Sequence, residues 1–525
     1  MQTPPVACGR PPGPLDSGTM TDRNRSSARP WIVFTVVLAV LALAAGGAFL
    51  LLRPHGGSPF GGRPGAHITV GLRDKPTSLD ICTNSERAVE QALVDNVYQT
   101  LVTMDGERAI SANVAARWSE STDGLRYSFQ LRAGATFADG SPLDASAVVA
   151  SLQRTIQNKQ VGADGLAHVA SVENPDGTTV VITLHEPNPR LLEALAGRAG
   201  VIVNPNAQNA DFTRQSYGSG PFAVSAFTDD AIELTRNEHY WQDKPALARV
   251  TLRYMPSDEA LVNGMRDGSL DVALPQGAQA AGELAKLDGV QVRDGVSTRK
   301  TLVAFNNAGS SPFSDEQVRR FTRFAIDAAQ IAHTQPDAKE QLSGPISQLQ
   351  PGYEDLNALF PFDLARAQSM RSYFAAGYFT PFTLLADDAH RDLAQQIVDE
   401  MAAIPLPVSL EVVNAATLAS RVETGDYTCA LIEMDDPHDY TRFVDGSAMF
   451  GYQNGAAQEQ YAKALAQTDF ASYREQLRAF DRIVGQDAAS AWLYTGKDVV
   501  AAQSHVQGLP VDLTGWRLPL AHVRA

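Results

Sequence analysis

Cysteine is scarce in this chain. Cys8, Cys82 and Cys429 are the three in 525 residues, too few for a disulfide scaffold, and no pair has the CxxC spacing of a zinc site. There is no HExxH, no P-loop, no GxSxG elbow and no glycine-rich turn of the dinucleotide type. The usual signatures of zinc protease, nucleotide hydrolase, serine hydrolase and nicotinamide chemistry are therefore missing. The ten histidines are scattered without metal-ligand spacing. His239 and His438, beside acidic or aromatic neighbours, read as exposed or capping residues, so no metal and no cofactor is expected. Positive charge is also in deficit, with 43 Lys+Arg against 59 Asp+Glu and a net charge of −16. An acidic surface of that size repels phosphate backbones, which argues against a nucleic-acid partner, and it disfavours broad adhesion to anionic lipid.

What is present describes an ordinary globular protein, 44% hydrophobic and 19% charged, and long enough for several domains. One local feature stands apart. The run at 31–52, WIVFTVVLAVLALAAGGAFLLL, holds no charge and no proline. At 1.5 Å per residue it spans roughly 33 Å, the thickness of a bilayer core. Arg23, Arg25 and Arg29 precede it, which places the short N-terminal side in the cytoplasm. Ala44, Ala45 and Ala48 offer small residues for signal cleavage, but FLLL follows them, and the run exceeds the usual signal core. The expectation is an uncleaved anchor at 31–53 after a short disordered cytoplasmic segment at 1–30. No cysteine lies between Cys8 and Cys82, which excludes a lipid-modified cysteine just after the run. A Pro/Gly-rich linker at 54–65 then leads to an external part.

From residue 67 the pattern alternates strands and helices. HITVGL (67–72) is a strand, and the apolar spacing of 87–102 predicts a helix. LRYSFQLR (125–132) alternates, with Tyr127, Phe129 and Leu131 on one face. A helix is predicted within 141–156, strands at 178–184, 231–236 and 248–255, helices at 314–331 and 390–404, and strands at 408–413 and 428–434. The densest carboxylate cluster follows the last of these: Glu433, Asp435, Asp436 and Asp439. On composition alone it is an acid/base pair, a cation site or a solvated turn.

The order of segments resembles the family 5 extracellular solute-binding proteins, the peptide and nickel binders of ABC importers. Residues 96–154 carry the Trp118 segment, the Asp123-Gly124 turn, an LR-x-G strand end and F-x-D-G-x-P-L before a helix. YGSGPF and NEHYW (217–241) are similar to the family's G-T-G-P-F and N-x-x-Y-W blocks. Pro256, Gly268 and Asp271 fit a further pattern, and 302–331 carries four short blocks. Most of these residues have structural jobs. Gly218, Gly220 and Pro221 bend the chain into a strand, Tyr240 and Trp241 anchor a core, and Asp315 caps a helix.

The resemblance implies an α/β, two-lobed periplasmic-binding-protein-like fold with an extra inserted subdomain, here preceded by one transmembrane helix. Lobe one would comprise 66–109, 200–304 and 497–525, the inserted subdomain 110–199, and lobe two 305–496. It further implies a monomer that is not an enzyme, holds a peptide or peptide-like solute between its lobes and delivers it to an ABC permease. In peptide-binding members an aspartate of a D-x-x-[DE] turn pairs with the ligand's α-ammonium. Laid against 425–443 without a gap, that position is Asp436, with Asp439 the second acid. A shifted alignment selects Glu433 or Asp435. The sequence departs from the family pattern in having Glu433 in place of an aromatic, Tyr440 in place of a proline, and a shortened stretch between Ile331 and Gly344. Those departures, with the anchor, suggest an alternative role as an envelope regulatory or assembly protein that binds a protein partner. By family position Cys82 and Cys429 lie near the cleft on opposite lobes, where a bridge would block opening, so two free thiols are expected. If 31–52 is an uncleaved anchor, the protein stays with membranes through high-salt and carbonate washes. A mature N-terminus near residues 46–49, with free protein in the medium, would overturn this.

Overall fold

The first strand, Ala66–Leu72, is buried along almost its whole length, as a strand with neighbours on both sides must be. In this computed structural model the described residues are 66–104, 109–207, 211–375, 377–510, 513 and 517–525. The segments read as cytoplasmic tail, anchor and linker (1–30, 31–53 and 54–65) lie outside them. Among the described residues no helix is long and apolar enough to cross a membrane.

Ala66–Leu72 pairs in parallel with Leu247–Tyr254 on one side and Val272–Ala273 on the other. Ala231–Arg236 and Phe222–Phe227 extend this half antiparallel. A second half is built on Phe382–Asp387, parallel to both Val408–Val413 and Cys429–Met434. Two long antiparallel strands, Val290–Phe305 and Ser490–Gln503, run through both halves and join them into one 11-stranded sheet. Their pairing slips between Val296 and Lys300. Each half has its own apolar core, one around Ile68, Val70 and Leu252, the other around Phe305, Phe321 and Leu384. A separate four-stranded sheet, Ala115–Glu120, Arg126–Leu131, Thr179–Leu184 and Val169–Asp176, packs under the helix Ala145–Gln157 around a third core.

The alternation read in 125–132 holds: Tyr127, Phe129 and Leu131 are buried. Asp144 starts the helix Ala145–Gln157 by accepting from Ala147 N at 3.0 Å, and Asp315 caps Glu316–Ala325 through Gln317 N. Two predicted helices are shorter than their apolar pattern. The helix from Arg87 ends at Leu93, because Asp95 takes φ 65° and Val97 and Tyr98 fold back onto Leu93 O. Val94, Val97 and Tyr98 are buried all the same, so helix-like spacing continues without a helix. The 314–331 stretch breaks at Ile326, whose backbone is extended, and Asp327 caps a second helix, Ala328–Thr334.

The chain bends at Gly220 and Pro221 directly before the strand Phe222–Phe227, as expected, and Gly218 and Gly220 also serve space. A Cβ on Gly218 would sit 1.9 Å from Val97 O, and one on Gly220 2.6 Å from Asn96 O. That close approach lets Asn96 O accept from Phe222 N. The buried Asn96 side chain donates to Leu518 O at 2.8 Å and accepts from Leu520 N at 2.9 Å. One residue thus ties three distant segments. Tyr240 is buried and the half-buried Trp241 donates to Gln99 Oε1 at 2.9 Å, so both act as anchors.

Cys82 and Cys429 are free thiols. Cys429 lies in the core at the start of its strand, with Sγ 3.5 Å from Thr383 O. Cys82 is half-buried, and burial, with Asp80 adding to it, pushes its thiol up to about 11.

Asp481 is wholly buried and accepts from Ile346 N at 3.2 Å. Its Oδ2 has no partner among the described residues, and burial raises its carboxyl well above the ordinary range. The native state therefore holds a proton that the unfolded chain releases, so this group's contribution to stability falls as pH rises from the ordinary carboxylate range through the raised value. Asp481→Asn, which supplies a permanent donor there, should flatten that slope and leave the protein at least as stable at pH 7. Urea unfolding at pH 5 and pH 8 measures this; an equal slope in both proteins would refute it.

Candidate functional site

Glu433 is the last but one residue of the strand Cys429–Met434, and the loop that carries Asp435, Asp436 and Asp439 leaves the sheet beside the slip in the two long strands. Glu433 is exposed beside Arg299, whose Nε lies 3.3 Å from Glu433 Oε1. It also faces His390, whose Nδ1 is held by Asp387 Oδ1 at 2.7 Å. Glu433, and after it Asp387, outweigh burial and push His390 up to about 9, so the imidazole is protonated at neutral pH. Burial would raise the Glu433 carboxyl, but His390 and Arg299 outweigh it and hold it below its ordinary range.

Asp435 turns the other way. Its Oδ1 accepts from Thr298 Oγ1 at 2.6 Å, on the long strand, and its carboxylate and carbonyl oxygen both accept from Arg87 at the start of a helix in the opposite half. Asp436 is exposed and closes the turn through His438 N, 2.7 Å from Oδ1. Asp439, one turn on, is 5% exposed. Its carboxylate accepts from Lys300 Nζ, which also donates to Pro345 O at 2.8 Å and Gln350 Oε1 at 2.9 Å.

The four acids read together in the sequence are therefore separated in space. Glu433 and Asp435 line a cavity of about 400 Å³ with Arg73, Arg87 and Lys497. Asp436 lines a larger one of about 680 Å³. Asp439 lines neither and belongs to the interior. The far wall of the larger cavity comes from the four-stranded-sheet region, with Asp164, Arg190 and Glu193. Glu193 is buried, with Arg190 Nε at 3.7 Å and His438 Nε2 at 3.5 Å from its Oε2. Arg517 completes the wall, held by Glu90, Asp95 and the carbonyl of Ala196. Among the described residues Asp436 has no ion-pair partner, and no three His, Cys, Asp or Glu side chains converge as metal ligands.

Arg87, Glu193 and Arg190 were not legible as site residues. Arg87 stands 348 positions from Asp435, and Glu193 stands 245 from His438. Each sits in an ordinary amphipathic context that gives no local signal.

Residues 109–449 match the family described as bacterial extracellular solute-binding proteins, family 5 middle. The chain belongs to that family. It is 26% identical over 471 residues to the probable D,D-dipeptide-binding periplasmic protein DdpA of Escherichia coli K12, covering 84% of this chain and 90% of that one. It is 25% identical over 371 residues to the glutathione-binding protein GsiB of Salmonella typhimurium LT2, covering 68% and 71%. Among solved structures it is similar to the ABC transporter substrate-binding protein CtaP of Listeria monocytogenes, with TM-score 0.79, 19% identity and coverage of 88% and 99%. DppA of Helicobacter pylori in complex with the peptide STSA gives TM-score 0.67, 21% identity and coverage of 88% and 98%. These likenesses establish the two-lobed α/β periplasmic-binding-protein-like fold.

The two neighbouring acids have separable roles. Asp439→Ala strands a buried Lys300 ammonium and should cost about 3–5 kcal/mol. Asp436→Ala, at an exposed carboxylate, should change stability by no more than about 0.5 kcal/mol. Urea denaturation of both variants checks this, and equal losses would contradict the separation.

Proposed function

We propose that this chain is the extracytoplasmic binding component of an ABC importer, capturing a small peptide or peptide-like solute and delivering it to a permease. In this reading 66–109, 200–304 and 497–525 form lobe one, 110–199 the inserted subdomain and 305–496 lobe two. The segment 31–53 tethers the protein, working as a monomer, to the outer face of the cell membrane. The slip between Val296 and Lys300 serves as the hinge, and a ligand touching both walls shifts the balance toward closure.

The observation that carries the reading is Asp436, an unpaired carboxylate on the wall of a cavity of about 680 Å³ that lies between the four-stranded-sheet region and the loop after Cys429–Met434. That volume is within the usual range for small-molecule sites. The relatives named for D,D-dipeptide and glutathione binding point to the same ligand class. Asp436 then supplies the counter-charge for a ligand α-ammonium, while main-chain groups and water hold the rest of the solute. An open, charge-lined cavity favours solute capture over the alternative of a partner-docking protein with a vestigial cleft.

Asp436 is exposed in this arrangement, and closure over a ligand is what would bury its pair with the ammonium; breaking a charge pair so buried costs about 2–5 kcal/mol, roughly 30- to several-thousand-fold in affinity. Asp436→Ala should therefore lose most peptide binding in calorimetry. N-acetylated peptides should bind the unaltered protein as poorly as free peptides bind the variant. Equal affinity of the two proteins would sink the assignment.

A further inference from the structure

The pairing slip in the long strands is filled by side-chain bonds. Between the pairs Val296–Lys497 and Lys300–Thr495, the residues Ser297, Thr298 and Arg299 oppose the single residue Gly496. Ser297 Oγ accepts from Arg299 N at 3.2 Å. The Arg299 guanidinium lies on Gly496, where an added Cβ would come within 2.7 Å of its Nε, and that Nε is 3.3 Å from Glu433 Oε1. Thr298 Oγ1 donates to Asp435 Oδ1 at 2.6 Å. Both ties run to the end of the strand Cys429–Met434 and the loop after it, in one half. The next link crosses over. Arg87 opens the helix Arg87–Leu93, whose Val89, Ala92 and Leu93 belong to the core of the half built on Ala66–Leu72. It donates to the other oxygen of the Asp435 carboxylate and, through Nη2, to Asp435 O at 2.7 Å. Thr298, Asp435 and Arg87 therefore form an unbroken chain from the slip, through the loop that carries Asp436, to the opposite half. The same loop is met from the four-stranded-sheet region, where Glu193 Oε2 lies 3.5 Å from His438 Nε2.

We infer that Thr298, Asp435 and Arg87 form a lock that draws the two halves together before any ligand is bound. This rests on the reading above, in which the slip is the hinge. An ion pair with a half-exposed arginine adds little to folding stability, but an open–closed balance is moved by energies of that same small size. With Arg87 in place, the hinge and the loop that carries Asp436 are both held against the opposite half, so a ligand meets a site already partly assembled. Without Arg87, Asp435 keeps Thr298 but loses its tie across the halves, and the open arrangement gains. Apparent affinity then falls in proportion to the competent fraction. The Glu193–His438 contact is untouched by that change, so the outcome is a shifted ratio and not a full release.

The test uses the full-length protein in detergent, with Cys8, Cys82 and Cys429 changed to alanine and spin labels attached at Asp229→Cys and Asp388→Cys. Those two positions are exposed, one on each half. Pulsed dipolar spectroscopy reads the ratio of short to long label distances with no ligand present. Arg87→Ala should move that ratio toward the long distance by about two- to fivefold. Thr298→Val should move it the same way, and the double variant by less than the product of the two, because both break one chain. Raising salt should shift the labelled parent in that direction and the Arg87→Ala variant little. Arg482→Ala is the control. It removes an ion pair of similar exposure, with Glu354 at 2.6 Å, that lies within one half. No movement in Arg87→Ala, or equal movement in Arg482→Ala, overturns the inference, and a shift on adding trialanine then leaves the hinge reading standing. A single distance in every sample, with trialanine or without, overturns both.

Discussion

Everything in this molecule hangs on two strands that cannot choose a side. Val290–Phe305 and Ser490–Gln503 pair with each other through both halves, and each half completes its own sheet on their flanks. Continuous pairing along such a ribbon would make one stiff plate. The slip between Val296 and Lys300 interrupts the ladder at the crossing, although pairing resumes on either side of it. Lys300 sits at the edge of this gap and is anchored by Asp439, Gln350 and Pro345. One side of the crossing is therefore nailed into a core.

The same crossing sorts the acids. Four carboxylates within seven positions would repel one another in a solvated turn. Here Asp439 is neutralised internally, Glu433 is met by Arg299 and His390, Asp435 is met by Arg87 and Thr298, and Asp436 stays available. Asp435 is worth separate notice because its partners come from both halves. A pair with Arg87 half exposed contributes little stability by itself, but it marks where the halves touch.

Elements with strong periodicity were legible from residues alone, as Tyr127, Phe129 and Leu131 show. Their failures share a cause: apolar spacing reports burial, not conformation. Val94, Val97 and Tyr98 are buried whether or not the chain is helical, and the reversal at Asp95 depends on a non-glycine residue at positive φ that composition does not announce. The bend at Gly220 and Pro221 was legible, but the second reason for Gly218 was not, since the carbonyl it accommodates belongs to Val97, more than a hundred positions away. At the site, a family resemblance could single out Asp436, but not the depth of Asp439. Burial of Asp439 depends on Lys300, and nothing between positions 300 and 439 signals that they meet. Arg87, Arg190 and Glu193 were invisible for the same reason: their partners are fixed by topology.

Asn96 also has a consequence for how the chain is made. Its side chain donates locally to Ala92 O but completes its bonds only when Leu518 and Leu520 arrive, and the parallel partner of Ala66–Leu72 lies beyond residue 246. The first strand among the described residues is thus among the last to find all its neighbours. The half built on Phe382–Asp387 and Cys429–Met434 draws on a nearly continuous stretch, so its contacts are closer in sequence and close sooner. During synthesis the early segments wait with unpaired edges while the later half condenses, which makes the N-terminal half the place where holding chaperones have most to protect.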